Sequence, residues 1–147
     1  MNILRILTRA VAILIAFCVG WVVYMVAMMF TVYDGFPSMI LQPIMAVLVS
    51  GAFVLLSMLA GLLLNIQPLS RHWNKSPLLA IILAAASLFI LTFGYYLGIT
   101  GVGINPEIDS EVVTLHPIAA IGGYFFLLFT LVNWPLRKDI SREYSAV

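Results

Sequence analysis

The chain reads as an all-α integral membrane protein, a bundle of four transmembrane helices with the N-terminus and C-terminus both cytoplasmic. Three observations predict this. Only 9% of the 147 residues are charged while 63% are hydrophobic, and the mean hydropathy is +1.12. A soluble domain carries about 25% charged residues, and one with so few would expose large apolar patches. The apolar residues fall into four long runs. All seven Lys and Arg residues then lie on one side of a four-span arrangement.

The expected spans are 10–33, 40–64, 77–97 and 116–134, forming one transmembrane domain over 1–147. Each is long enough, at about 1.5 Å per residue, to cross roughly 30 Å of hydrocarbon. With no water inside, backbone groups must pair within the element, which selects helices. The first span follows Arg5 and Arg9, and its apolar run is too long for a cleaved signal, so it is expected to be retained. A tight turn is expected over Asp34-Gly35-Phe36-Pro37-Ser38, and Pro43 is expected in the first turn of span 2. The polar stretch from Asn65 to Pro77 separates two helical hairpins. Ser76 and Pro77 suit the N-cap and first position of span 3. Gly98 to Thr114 is expected as the longest loop, with Val112 and Val113 against the membrane surface.

Arg5, Arg9, Arg71, Lys75, Arg137, Lys138 and Arg142 flank the inner ends; the outer loops hold only acids. The positive-inside rule makes the basic side cytoplasmic. The expected location is the plasma (inner) membrane, multi-pass. Trp73 and Trp134 suit an inner aromatic belt; Tyr33, Phe36, Tyr95 and Tyr96 suit an outer one.

Small residues recur at helical spacing in each span. The rows contain Ala12, Ala16, Gly20 and Ala27; Ser50, Ser57 and Gly61; Ala80, Ala84, Ser87, Gly94 and Gly98; and Ala119 and Gly123, continuing through Phe126, Thr130 and Asn133. Steps of three, four or seven keep each row on one face, where small side chains let helices approach closely in lipid. These rows are expected to pack the helices on one another. The sharper alternative is that Gly94-Tyr95-Tyr96-Leu97-Gly98 faces another subunit.

Chemistry is sparse. No Asp, Glu, Lys, Arg or His lies deep in a span, where ion and proton pathways usually need an ionisable residue. His72 and His116 fall at opposite faces, about 30 Å apart, too far to share a haem. Met25-Val26-Ala27-Met28-Met29 has MxxxM spacing, which, with a GxxxG helix, resembles copper-uptake transporters. Those proteins have three spans and a Met-rich outer N-terminus, and methionine also fills gaps between helices. The single cysteine, Cys18, allows no internal disulfide or Cys-cluster metal site. The polar candidates are Asp34, Glu107, Asp109, Glu111 and His116; Glu107, Asp109 and Glu111 would share one face of an extended segment. They contain no nucleophile–base pair. A net charge of +1 points to no nucleic acid.

The expectation is therefore a non-catalytic accessory, scaffold or regulatory subunit of a larger membrane complex. It would need no cofactor or metal and would partner the lipid bilayer and other membrane subunits or itself. Phe89, Phe93, Phe125 and Phe129 are expected to face lipid and to be available to a partner helix. The alternative is a small transporter or channel working as a homo-oligomer.

Overall fold

The computed structural model describes residues 3–31, 36–66, 73, 77–105 and 110–134. Helix α1 spans Ile3–Thr31 and α2 spans Phe36–Leu62, followed by a 3-10 turn at Leu63–Asn65. Helix α3 spans Pro77–Phe93, strands β1 and β2 span Thr100–Asn105 and Ser110–Leu115, and α4 spans Pro117–Asn133. The described residues are mostly helical, as expected. Two of the helices, α1 and α2, are long and apolar enough to cross a membrane.

The boundaries differ from expectation in instructive ways. Helix α1 begins at Ile3, so Arg5 and Arg9 are helical rather than flanking. A long basic side chain can lay its apolar stem along a helix and keep its head near water, so a charge need not end a span. Residues 36–38 are helical, not a turn, because α2 begins at Phe36. Pro43 consequently lies inside α2 and not in its first turn. Its missing N–H leaves one carbonyl of the preceding turn without its helical donor.

Helix α3 gives way to a turn at Gly94, yet helical hydrogen bonding continues: Gly94 N donates to Ile90 O at 2.8 Å and Leu97 N to Phe93 O at 3.0 Å. Ile99 N then donates to Gly94 O at 2.9 Å and Gly98 N to Tyr95 O at 3.2 Å. This pair of bonds is a Schellman cap, which needs a left-handed residue just past the helix. Gly98 supplies it with φ +75°. Gly98 is thus a turn residue rather than part of a packing row, and a Cβ there would meet nothing within 4 Å. Gly98→Ala should cost about 1 kcal/mol through backbone strain alone, read as a shift in the chemical unfolding midpoint of the detergent-solubilised protein.

The expected long loop contains an antiparallel hairpin. Its register pairs Thr100 with Leu115, Val102 with Val113 and Asn105 with Ser110. A two-stranded hairpin is marginal by itself, and this one is tied to the helices. His116 N donates to Ile99 O at 3.0 Å, and the Leu115 side chain lies against Gly94.

Helix α4 is the centre of the fold. It packs against α1, α2 and α3, and α1 also packs on α2; the extended packing of α3 is on α4. The main core joins Ala16, Val54, Tyr124, Leu128 and Val132 from α1, α2 and α4. A second cluster joins Leu64, Trp73 and Ala80, with Leu83 and Phe129 beside it. Outward faces remain apolar, for example at Leu14, Ile15, Leu48, Leu55, Leu59 and Ile82. Only 11% of the apolar stretch of α1 and 28% of that of α2 is buried.

Candidate functional site

Few polar side chains are buried among the described residues, and several of them tie one helix to another. The first tie is at mid-helix. Tyr124 of α4 and Ser50 of α2 share a hydrogen bond of 2.8 Å between their hydroxyls. Helix α1 reaches the same point through Gly20, where a Cβ would stand 2.9 Å from the Tyr124 hydroxyl and 3.2 Å from Leu128. Phe53 stacks edge-on against the Tyr124 ring at 5.0 Å. A tyrosine hydroxyl buried in apolar surroundings needs a partner, and Ser50 provides it.

The second tie lies where α2 and α4 end. Asn133 Nδ2 donates to Ser57 O at 3.0 Å and to Phe129 O at 2.9 Å. The first bond crosses from α4 to α2; the second stays in α4. Both donors are used, so the amide orientation is fixed by its surroundings. Asn133 Oδ1 has no hydrogen-bond partner but lies where a Cβ of Gly61 would be. Only a glycine leaves room for the amide there. Trp73 closes this end. Its Nε1 donates to Asn133 O at 3.4 Å, and its ring meets Phe129 edge-on at 5.6 Å. Trp73 is 5% exposed, so it is a buried plug and not a member of an aromatic belt. Trp134 is exposed.

Between α3 and α4 the contact is close and mostly apolar. Gly123 lies against Leu91, with a Cβ position 3.2 Å from Leu91 Cγ and 3.4 Å from Ser87 O. Ser87 donates to Leu83 O at 2.6 Å and Thr130 to Leu127 O at 2.8 Å. These hydroxyls are satisfied by their own helices. Ser57 is different: its Oγ is buried without a hydrogen bond, although its carbonyl is used by Asn133.

The small-residue rows map onto these contacts unevenly. Ala16, Gly20, Ser57, Gly61, Ala80, Ser87, Gly94 and Gly123 are buried, while Ala12, Ala84 and Ala119 are half-buried. Ala27 is exposed. Gly94 faces the chain's own interior, since a Cβ there would fall on Ile90 O and within 2.7 Å of Leu115 Cδ1. The Gly94–Gly98 segment is therefore not a free glycine face for another subunit. On α4 the inward residue is Leu127 rather than Phe126, which is exposed. Phe89 and Phe93 point outward, but Phe129 packs on Trp73 and Phe125 is half-buried beside it. The four phenylalanines do not form one outward face.

Among the outer polar candidates, Asp34, Glu107 and Asp109 lie outside the described residues, as do Arg71, His72, Lys75, Ser76 and the basic residues after Trp134. Glu111 is exposed on β2, opposite Ile104. His116 is the N-cap of α4. Its Nδ1 accepts from Ile118 N at 3.3 Å, with Pro117 at the first helical position. The imidazole is thus engaged locally rather than presented to a ligand. His116→Ala should cost about 0.5–1 kcal/mol of stability, and His116→Asn, which keeps a capping acceptor, should recover most of it. Equal losses for both in chemical unfolding would sink this assignment.

Among the described residues no three His, Cys, Asp or Glu side chains converge. The Ser50–Tyr124 and Asn133–Ser57 bonds instead tie helix to helix at two levels. No protein-family model, curated protein or solved structure matches the chain.

Proposed function

We propose that the chain is a four-span membrane protein, resident in the inner membrane with both ends cytoplasmic, that serves as a non-catalytic accessory or scaffold subunit. Helices α3 and α4 have 17 residues each, about 26 Å of rise. The bonds that carry α3 on to Leu97 bring it to about 31 Å. The short β1–β2 hairpin then joins two antiparallel spans, and the basic residues stay on one side.

The observation that carries the accessory role is the one-sided packing of α3. It rests on α4, while Leu78, Ile81, Ile82, Phe89 and Phe93 face outward. A helix with one extensively packed partner among the described elements offers much of its remaining surface to lipid or to another subunit. The hydrogen bonds between Ser50 and Tyr124 and between Asn133 and Ser57 support the same reading, because they fasten helices together.

Native mass spectrometry of protein extracted gently from its own membrane tests the role. The proposal expects larger subunits in fixed stoichiometry. A symmetric homo-oligomer with no other subunit overturns it and turns attention to flux across the subunit interface.

A further inference from the structure

We infer that the β1–β2 hairpin is a lipid-contacting element, with its Val102/Val113 face resting on the outer leaflet beside α3. The inference rests on the four-span reading and adds a surface to it.

Register defines the face. In an antiparallel pair, residues opposite one another project to the same side, and alternate residues switch sides. Thr100 and Leu115, Val102 and Val113, and then Glu111 of β2 therefore share one face. Leu115 anchors the base of this face by lying against Gly94 at the end of α3. The next rung, about 7 Å farther out, is Val102 and Val113, which are 65% and 54% exposed.

The surroundings select the occupant. The outward residues at the end of α3 are Tyr95, Tyr96 and Leu97, with Tyr96 83% exposed. They continue the apolar face carried by Phe89 and Phe93. Tyrosines of this kind settle at the membrane–water boundary, with the ring in the acyl edge and the hydroxyl among headgroups. Two valines one rung beyond them reach the interfacial layer, and Glu111, a rung farther, reaches water. This gradient, from apolar base to acidic tip, follows the polarity of a leaflet edge. The hairpin face is also small. Two valines, a leucine and two tyrosines fall short of the roughly 800 Å² per side of a stable protein interface.

Site-directed spin labelling tests this in the full chain, reconstituted in phosphatidylcholine–phosphatidylglycerol vesicles. Cys18, the only cysteine, is first replaced by serine. Labels are placed singly by Val102→Cys, Val113→Cys, Glu111→Cys and Phe89→Cys, all exposed positions. Collision with oxygen, which concentrates in lipid, is compared with collision with a water-soluble nickel chelate. Val102 and Val113 should favour oxygen several-fold over Glu111, approaching Phe89. If both valine sites match Glu111 while Phe89 stays oxygen-dominated, the hairpin inference fails and the membrane reading survives. If Phe89 itself meets nickel freely, the membrane reading fails and takes the inference with it. Spin–spin broadening at Val113 that disappears on dilution with unlabelled protein places a second copy there and overturns lipid as the occupant.

Discussion

Replacing Gly61 with alanine should be among the most damaging single-methyl changes in this protein. The new Cβ would fall on Asn133 Oδ1 and lie 2.8 Å from Cγ and 3.1 Å from Nδ2 of the same side chain. A flexible neighbour would swing away, but this amide is held by two carbonyls, Ser57 O and Phe129 O. Relieving the clash means either parting α2 from α4 or giving up the inter-helix bond. Overpacking of a tight core costs about 1–3 kcal/mol, and an inter-helix polar bond in a membrane adds roughly 0.6–1.7 kcal/mol. A loss of about 2–4 kcal/mol is therefore expected, measured by unfolding in mixed micelles. Asn133→Ala alone should cost less. The double variant should be more stable than the two single losses added together, because the second change removes the object of the clash. Strict additivity would mean that Gly61 and Asn133 are not in contact.

Trp73→Ala should cost about 3 kcal/mol, in the range for deleting a large buried aromatic. The ring fills the space between Leu64, Ala80 and Phe129, and nothing else described in the connecting segment can replace it. Trp73→Phe should lose only about 1 kcal/mol, since it keeps the ring contact and gives up one hydrogen bond, here a long one of 3.4 Å. Tryptophan emission should report the change directly, as a buried, blue-shifted component that is lost in both variants. Unchanged stability in Trp73→Ala would show that this end of the bundle closes without its plug.

The helices were legible because their signal is cumulative: long apolar runs broken by polar or glycine-rich stretches. Their ends were less so. Charge suggested that α1 starts after Arg9, but a helix tolerates basic side chains in its first turns, and it begins at Ile3. The hairpin escaped because Gly101 and Gly103 weaken a strand signal, and the segment between the strands contains Pro106. In retrospect, the spacing Thr100, Val102, Ile104 on one arm and Val113, Leu115 on the other is a strand pattern around a turn. The packing rows contain Ala16, Gly20, Gly61 and Gly123 by size and spacing, and all four are buried. They could not separate Leu127 from Phe126, which differ by one step around α4. The burial of Trp73 and the Asn133 amide bonds depend on which segments meet in three dimensions, and no local pattern carries that. By residue type alone Gly98 fits a packing row and His116 a polar cluster; in the fold they are a helix stop and a helix start.

Cysteine accessibility in intact cells tests the four-span architecture most directly. In a Cys18→Ser background, single cysteines are introduced by Ser38→Cys, Ser70→Cys, Ser110→Cys and Ser145→Cys and exposed to a membrane-impermeant maleimide. The four-span arrangement predicts labelling at Ser38 and Ser110 from outside, and at Ser70 and Ser145 only after the cells are opened. Labelling of Ser38 alone, with Ser110 protected until the membrane is breached, would leave α1 and α2 as the only crossing helices and contradict the four-span account.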